Sequence, residues 1–419
     1  MNPVKTLAVL GCGSRGRIYS TIAAGLPEKF RVVAACDPVA ERTAQVQEKS
    51  GYEGFRKFDD AEAFFAAGRL ADALIIGTQD IHHYEQCRRA LDLGYDVLLE
   101  KPIAPTHEQV LALAEQAQRL GRKVIVCHVL RYAPFYMAMR EIIASGEIGE
   151  VVNFEAMEGV EPWHMAHSFV RGHWARPHLA SPTIVAKSCH DMDMLAWIMD
   201  RPCEAVSAFG SLSRFTAKHA PEGAPARCSD GCPAGDTCFY NAAKYTGETG
   251  RRWLGMVYDR AADAPASEIL EWLKTSPWGR CAYRCDNTAP DHISASLKFA
   301  GEVTGTFTLT AFEFGRHYAF FGTKGVVRGG PAYKKATGAD ILVQPHGGAE
   351  PRRVIIPPPT TGHGGGDLGI VNALYDELTG RGDGRTCIAV SVQSHAMAFA
   401  AEQSRVTGRT VEIRDNRFA

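Results

Sequence analysis

No apolar run in this 419-residue sequence approaches the roughly 18 to 20 residues that a bilayer span requires. A dense Lys/Arg run is missing too, and 46 basic against 47 acidic residues leave a net charge of -1. That balance argues against nucleic acid or an anionic membrane as the main partner and favours a small molecule. The N-terminus reaches its first strand-like run almost at once, without the charged segment, apolar stretch and cleavage site of a secretory signal, so the expected location is cytoplasmic. In a reducing compartment the 12 cysteines read as buried thiols, with a candidate metal site, rather than as disulfides.

What is present is ordinary globular composition, 45% apolar and 22% charged, over a length that exceeds a single core and predicts two domains. From Thr6 to about His128, short apolar runs alternate with helical patterns. The strand-like runs are Leu7 to Leu10, Val32 to Cys36, Ala73 to Ile76, Val97 to Leu99 and Val124 to Cys127. Helical periodicity falls around Arg15 to Ala24, Ala40 to Lys49, His83 to Leu93 and His107 to Leu120. This alternation predicts an α/β Rossmann domain, a doubly wound parallel sheet, over residues 1–128. A second domain, 129–419, carries longer alternating stretches at Val151 to Met157, Ala205 to Phe209, His292 to Phe299 and Val303 to Thr310, the pattern of antiparallel strands. A cysteine-containing insertion is expected at about 212–290.

Gly11-Cys12-Gly13-Ser14-Arg15-Gly16 follows the first strand and opens the first helix, and Asp37 closes the second strand at the offset of a ribose-binding acid. Gly11, Gly13 and Gly16 with Ser14 would let the backbone approach a pyrophosphate at the helix N-terminus. Asp37 would accept ribose hydroxyls and repel a 2′-phosphate, pointing to NAD; Arg15 could meet either the pyrophosphate or that phosphate, so NADP stays open. Thr78 to His83 lies at another strand end, where open parallel sheets bind ligands, the plainer reading being a helix start capped by Asp80. Glu100-Lys101-Pro102 places an ammonium at a neighbouring strand end, able to stabilise negative charge on a substrate oxygen; its alternative is a surface salt bridge.

In the second half, Ser181-Pro182 supplies an N-cap and an N1 proline for a helix running through Ile184 to Met199. Lys187, His190 and Asp193 form one stripe on it, with Lys187 and Asp191 an i,i+4 pair. A histidine of near-neutral pKa suits proton exchange with a hydroxyl, while such a stripe otherwise reads as a solvated face. Between Glu161 and His178, Trp163 and Trp174 with several Arg and His suit a polyhydroxylated or carboxylated ligand, a subunit-contact arm being the alternative. Cys228, Cys232, Cys238 and Cys285 are candidate ligands of a structural zinc in a loop-rich insertion with little core of its own. Gly362 to Asp367 leads into a helix from Leu368 to Leu378, with Asp367 as an acidic cap and His363 placed to close a pocket.

The chain resembles the Gfo/Idh/MocA family of oxidoreductases. The matching residues are the glycine loop, Asp37, the Thr78 to His83 turn, Glu100-Lys101-Pro102, Arg131-Tyr132-Ala133-Pro134 and Gly146-Glu147-Ile148-Gly149. The resemblance implies a Rossmann domain followed by an α+β domain with a large, mostly antiparallel open sheet that often forms a homo-dimer or homo-tetramer interface. It implies that Lys101 is both cofactor contact and catalytic residue, with Glu100 and His83 near the cofactor. It also makes His190 the catalytic histidine, Asp193 the acid three residues on, and Arg131 a substrate contact. Where many members carry an aspartate four residues before that histidine, this chain has Ala186, followed by Lys187. The implied activity is NAD-dependent hydride transfer at a hydroxyl carbon of a sugar, cyclitol or related polyol. An NAD-dependent glycoside hydrolase or lyase with transient oxidation, and a non-catalytic nucleotide sensor, are the alternatives.

Overall fold

A computed structural model describes residues 3–176 and 179–418. The first sheet is built from β1 (Lys5–Leu10), β2 (Phe30–Cys36), β3 (Arg56–Phe58), β4 (Ala73–Ile76), β5 (Asp96–Leu99) and β6 (Val124–Val126), in the order β3-β2-β1-β4-β5-β6. Every pair in it is parallel. Right-handed crossovers of parallel strands put helices on both faces, which is why β4 and the inner ends of β1 and β5 are apolar and buried throughout. The order reverses between β1 and β4, and ligands of open α/β sheets lie at such a switch point. β3 and the helix Ala61–Ala66 give no sequence signal; β3 is three half-exposed or exposed residues, too short for any periodicity.

The second sheet has ten strands: β7 (Val151–Val160), β8 (Cys203–Ser211), β9 (His292–Phe299), β10 (Val303–Thr310), β11 (Phe314–Gly322), β12 (Gly325–Gly329), β13 (Ile341–Pro345), β14 (Arg352–Val354), β15 (Val411–Arg414) and β16 (Arg417–Phe418). Their order is β14-β13-β12-β11-β7-β10-β9-β8-β15-β16, and β7 with β10 is the parallel pair in an otherwise antiparallel sheet. The strict alternation of β9 and β10 leaves one face in water and one on the core. On the core side, helix Ile388–Thr407 packs against β8 and against helix Thr183–Met199. In the latter every residue except Lys187 and Trp197 is buried, so His190 and Asp193 lie in the interior and the alternative of a solvated face does not hold for them. Its cap is Pro182 rather than Ser181, and Asp80 does not cap its own helix: its Oδ2 accepts the Ser181 N–H at 2.7 Å.

Beyond β14 the chain returns to the first domain. Helix Gly366–Leu378 lies on helix Ser14–Ala24 and on the turn Val129–Tyr132. The Thr386 carbonyl accepts the Val126 N–H at 2.8 Å, and the Ile103 N–H donates to His395 Nε2 at 3.0 Å. No helix among the described residues is long and apolar enough to cross a membrane.

β8 and β9 pair as neighbours, Ser211 opposite His292, and the chain between them makes a helical excursion tied at its base by Asp291, which accepts the N–H groups of Ser213 and Arg214. Contrary to expectation this excursion has its own apolar core: Tyr245, Leu254, Ala261, Ala264, Ile269 and Leu273 close around Trp163. Cys228, Cys232, Cys238 and Cys281 line one cavity of about 10 Å³, room for a single water-sized body. Cys285 instead turns its Sγ toward the Cys281 carbonyl at 3.3 Å. No group of three or more His, Cys, Asp or Glu among the described residues could hold a metal ion. The zinc expected on Cys228, Cys232, Cys238 and Cys285 therefore has no ligand set, and apolar packing does the work assigned to it. Trp163→Ala should remove about 3 to 5 kcal/mol from this core. Limited proteolysis is then expected to cut within residues 212–291 well before the rest of the chain; equal protection of variant and parent would show that Trp163 is not its keystone.

Candidate active site

Gly11 has a φ of 86°, and a Cβ there would stand 2.6 Å from the Thr78 nitrogen; the left-handed turn and the close approach of the β4 loop both require glycine. A Cβ on Gly16 would collide with the carbonyl oxygen of Gly11, which is how helix Ser14–Ala24 comes to lie so tightly on β1. Gly13 differs, because a Cβ there would meet nothing within 4 Å. That open space sits at a helix N-terminus that has no side-chain cap and no acid in its first turn, a fit for a pyrophosphate. Asp37 accepts the Cys12 N–H at 2.8 Å and the Val39 N–H at 2.9 Å. A carboxylate has about four acceptor positions, so two remain for ribose hydroxyls. These residues suit a dinucleotide.

Arg15 does not reach toward the ribose. Its Nε donates to Glu100 Oε1 at 3.0 Å, and its Nη2 to Asp367 Oδ1 at 2.6 Å and to the Tyr19 hydroxyl at 2.6 Å. Of the two contacts left open for Arg15, to the pyrophosphate or to a 2′-phosphate, the structure shows neither ligand; the guanidinium is bonded to two carboxylates. Burial raises the pKa of Glu100, but Arg15 and Lys101 outweigh it and keep the carboxyl below its ordinary range. Burial opposes ionisation of Asp367 likewise, yet bonds from His363 and Arg15 bring it down to about 2. His83 bridges the Pro102 and Thr78 carbonyls at 2.7 and 3.2 Å, holding two strand-end loops together, and the Thr78 hydroxyl donates to Gln86.

Lys101 leaves the end of β5 with its Nζ 2.9 Å from the carbonyl oxygen of Ala186, one turn before His190 on the buried helix. His190 is buried, and its Nδ1 has no hydrogen-bond partner. Burial, reinforced by Lys101, His128, Arg316 and His363, puts its pKa well below that of a free imidazole. The His128 and His363 rings flank it at 6.0 and 6.1 Å. His363 is bonded to Asp367 at 3.0 Å, so Asp367 serves Arg15 and His363 rather than capping its helix, where Gly365 holds the cap.

Lys187 pairs with Glu158 at 3.0 Å. Glu158 on β7 stands directly opposite Arg316 on β11, and the Arg316 Nε lies 2.9 Å from it and 2.7 Å from Asp191. Tyr318 adds a hydrogen bond to Asp191 at 3.0 Å. Burial raises Asp191 even against Arg316, whereas Glu158, with two cations, is held below its ordinary value despite burial. Glu158, Arg316 and Tyr318 escaped the sequence reading because they come from strands whose register only the fold defines; a charged residue in an alternating strand was the available signal.

Four of the residues expected to contact substrate have protein partners in the structure. Arg131 and Asp193 bond each other bidentately at 2.8 and 2.7 Å, both buried, and have no free face for a ligand. Trp163 belongs to the core of the excursion, and Trp174 packs between His173 and Phe169. His178, the last histidine of that arm, lies outside the described residues.

The six-stranded parallel sheet is thus a dinucleotide-binding fold, and the lysine that follows its β5 meets the buried helix bearing His190. Residues 5–128 match the model of an oxidoreductase family with an NAD-binding Rossmann fold, and residues 140–413 match that family's C-terminal alpha/beta domain. The chain belongs to the Gfo/Idh/MocA family. It is 28% identical over 206 residues to an inositol 2-dehydrogenase of Rubrobacter xylanophilus, covering 49% of this chain and 55% of that protein. It is also 28% identical over 204 residues to inositol 2-dehydrogenase 2 of Saccharopolyspora erythraea, covering 48% and 56%. The chain spans about half the length of the curated relatives it matches. In fold it is similar to the WlbA dehydrogenase of Bordetella pertussis, solved with NADH and UDP-GlcNAcA (TM-score 0.67, 16% identity, 98% and 99% covered). A second match is scyllo-inositol dehydrogenase of Lactobacillus casei, solved with NAD(H) and scyllo-inositol (TM-score 0.65, 16% identity, 98% and 99% covered).

Gly13→Ala should leave the melting temperature nearly unchanged while weakening NAD binding, whereas Gly16→Ala, which forces strand and helix apart, should lower stability by about 1 to 3 kcal/mol. Calorimetric titration beside thermal melts separates the two, and undiminished NAD affinity in Gly13→Ala would remove the pyrophosphate from that space.

A second expectation concerns pH. His128, His167, His190 and His395 are buried, and burial is the first cause of a depressed pKa in each; His167 and His395 fall to about 3. The unfolded chain takes up these protons near pH 6.5 while the folded chain does not, so stability is full above that value and falls as pH drops below it, by about 2 kcal/mol per histidine at pH 5. Urea midpoints measured between about pH 7.5 and 5 should decline steadily; a flat profile would mean that these imidazoles gain protons in the folded state.

Proposed function

We propose that the protein transfers hydride between NAD and a hydroxyl-bearing carbon of a sugar, cyclitol or related polyol. The observation that carries this reading is the convergence of Lys101, from the dinucleotide-binding sheet, on the helix that bears His190, joined through the Ala186 carbonyl at 2.9 Å. Lys101 orients the substrate hydroxyl and stabilises the negative charge that grows on its oxygen as the C–H bond breaks. His190, kept neutral by burial and neighbouring cations, accepts the hydroxyl proton as the carbonyl forms. Lys187, held by Glu158, stands where many members carry an acid at the adjacent position, and supplies a second ammonium toward the same oxygen. The bound dinucleotide supplies the hydride acceptor. Asp37 favours NAD, since a 2′-phosphate beside it would face a like charge.

The inositol dehydrogenases among the relatives support a cyclitol or sugar as substrate class. A cytoplasmic homo-dimer or homo-tetramer formed on the open face of the large sheet, where Phe209 is 70% exposed, completes the reading.

Lys101→Ala should keep measurable NAD binding and lose about 10²- to 10⁴-fold in kcat. Turnover is followed as NADH absorbance with a panel of inositols and sugars. Unchanged kcat in Lys101→Ala would remove it from the chemistry, and product formed without net NADH would turn the reading toward a hydrolase or lyase with transient oxidation.

A further inference from the structure

The excursion between β8 and β9 does not stop at its own core. It reaches across to the dinucleotide-binding domain and sets one carboxylate, Asp259, between two arginines. Arg42 Nε donates to Asp259 Oδ2 at 2.8 Å, and Arg17 Nη1 lies 3.0 Å from Asp259 Oδ1. Arg17 stands in the first turn of the glycine-loop helix and also donates to Gln45 at 2.7 Å. Arg42 is in the first turn of helix Ala40–Ser50, which follows Asp37, and its Nη1 is 3.9 Å from Asp37 Oδ1. All three side chains of the bridge are about four-fifths covered, at 22, 21 and 22% exposure for Arg17, Arg42 and Asp259.

The position of this bridge gives it a consequence. Asp37 marks where the adenosine ribose of a dinucleotide is held, and the group that separates NADP from NAD is a phosphate on that ribose. A phosphate there carries nearly two negative charges and is best met by a planar guanidinium fork. Two such forks flank the site, yet both are turned to Asp259. Among these four groups Arg17 and Arg42 are matched by Asp37 and Asp259, so the pocket has no net positive charge to offer. Without Asp259 the balance would be one positive charge in excess, with the Arg42 fork freed within reach of the ribose acid.

We propose that Asp259 is a determinant of cofactor specificity: it withholds Arg17 and Arg42 from a 2′-phosphate and so reserves the adenosine pocket for NAD. The inference rests on the dinucleotide reading above and extends it, because it gives the excursion a role in cofactor choice and assigns that role to a residue more than 200 positions from the glycine loop.

The test uses the full chain with Asp259→Asn, which keeps the shape and removes the charge, and Asp259→Glu, which keeps the charge. Dissociation constants for NAD⁺, NADP⁺ and 2′,5′-ADP are measured by calorimetric titration, so that no turnover is needed. Asp259→Asn should shift the NADP⁺-to-NAD⁺ affinity ratio toward NADP⁺ by roughly tenfold, the worth of one charge-assisted hydrogen bond to phosphate. The gain should shrink at high salt, be reproduced with 2′,5′-ADP, disappear when Arg42→Gln is added, and be absent in Asp259→Glu. An unchanged ratio in Asp259→Asn, whether both affinities stay or both fall together, overturns the proposal and leaves Asp259 as a tether of the excursion. A parent protein that binds neither dinucleotide overturns the reading beneath it as well.

Discussion

The guanidinium of Arg15 lies between Glu100 and Asp367, at 3.0 and 2.6 Å, with the Tyr19 hydroxyl as a third partner. Three segments far apart in sequence meet there: the glycine loop, the end of β5 next to Lys101, and the first turn of the returning helix Gly366–Leu378. A buried carboxylate next to an ammonium would otherwise bind that ammonium and draw it back onto its own strand end. By occupying Glu100 Oε1, Arg15 leaves Lys101 to reach the Ala186 carbonyl instead. Asp367, fixed by the same guanidinium, in turn holds the His363 ring beside His190. The placement of the lysine and of both histidines therefore depends on one partly buried cation being satisfied.

A second arrangement of the same kind lies where the helix Thr183–Met199 meets β7 and β11. Arg316 is shared by Glu158 and Asp191, and Glu158 also takes Lys187, so charges line the site without any of them being isolated. Polar groups with fixed partners cannot reorganise when charge develops on a substrate, which is the condition for electrostatic stabilisation. The helix Thr183–Met199 can carry Asp191 and Asp193 in the interior because each has a cationic partner from another element.

The cofactor half was legible in the sequence because its signals are local. The glycine spacing, the acid at Asp37 and the lysine before Pro102 each sit at a strand end, and the order of strands and helices followed from alternating periodicity. The substrate half was less legible for a physical reason: its residues are paired across strands and between domains. Nothing within ten residues of Arg131 reveals that it will bond Asp193, and nothing near Arg15 reveals Asp367. The helix from Ile388 to Thr407 went unread, and its mean pattern is apolar nearly all round, the mark of a helix wedged between layers rather than lying on a surface. Expecting zinc for the cysteines likewise followed from underestimating an apolar cluster assembled from separate turns around a tryptophan outside the excursion, Trp163.

The late return of the chain to its beginning bears on how the protein is made. The edge strand β6 gains a backbone partner at Thr386, the loop after Lys101 is bonded to His395, and Arg15 waits for Asp367. A chain emerging residue by residue would form the parallel sheet early, with Arg15 bonded to Glu100 and Tyr19 but lacking its second carboxylate, and β6 lacking its backbone partner, until the segment from Asp367 to His395 arrived. The glycine loop thus precedes by 352 positions the carboxylate that completes its surroundings, and a chain broken off before Asp367 would lack the partners that organise the neighbourhood of Lys101.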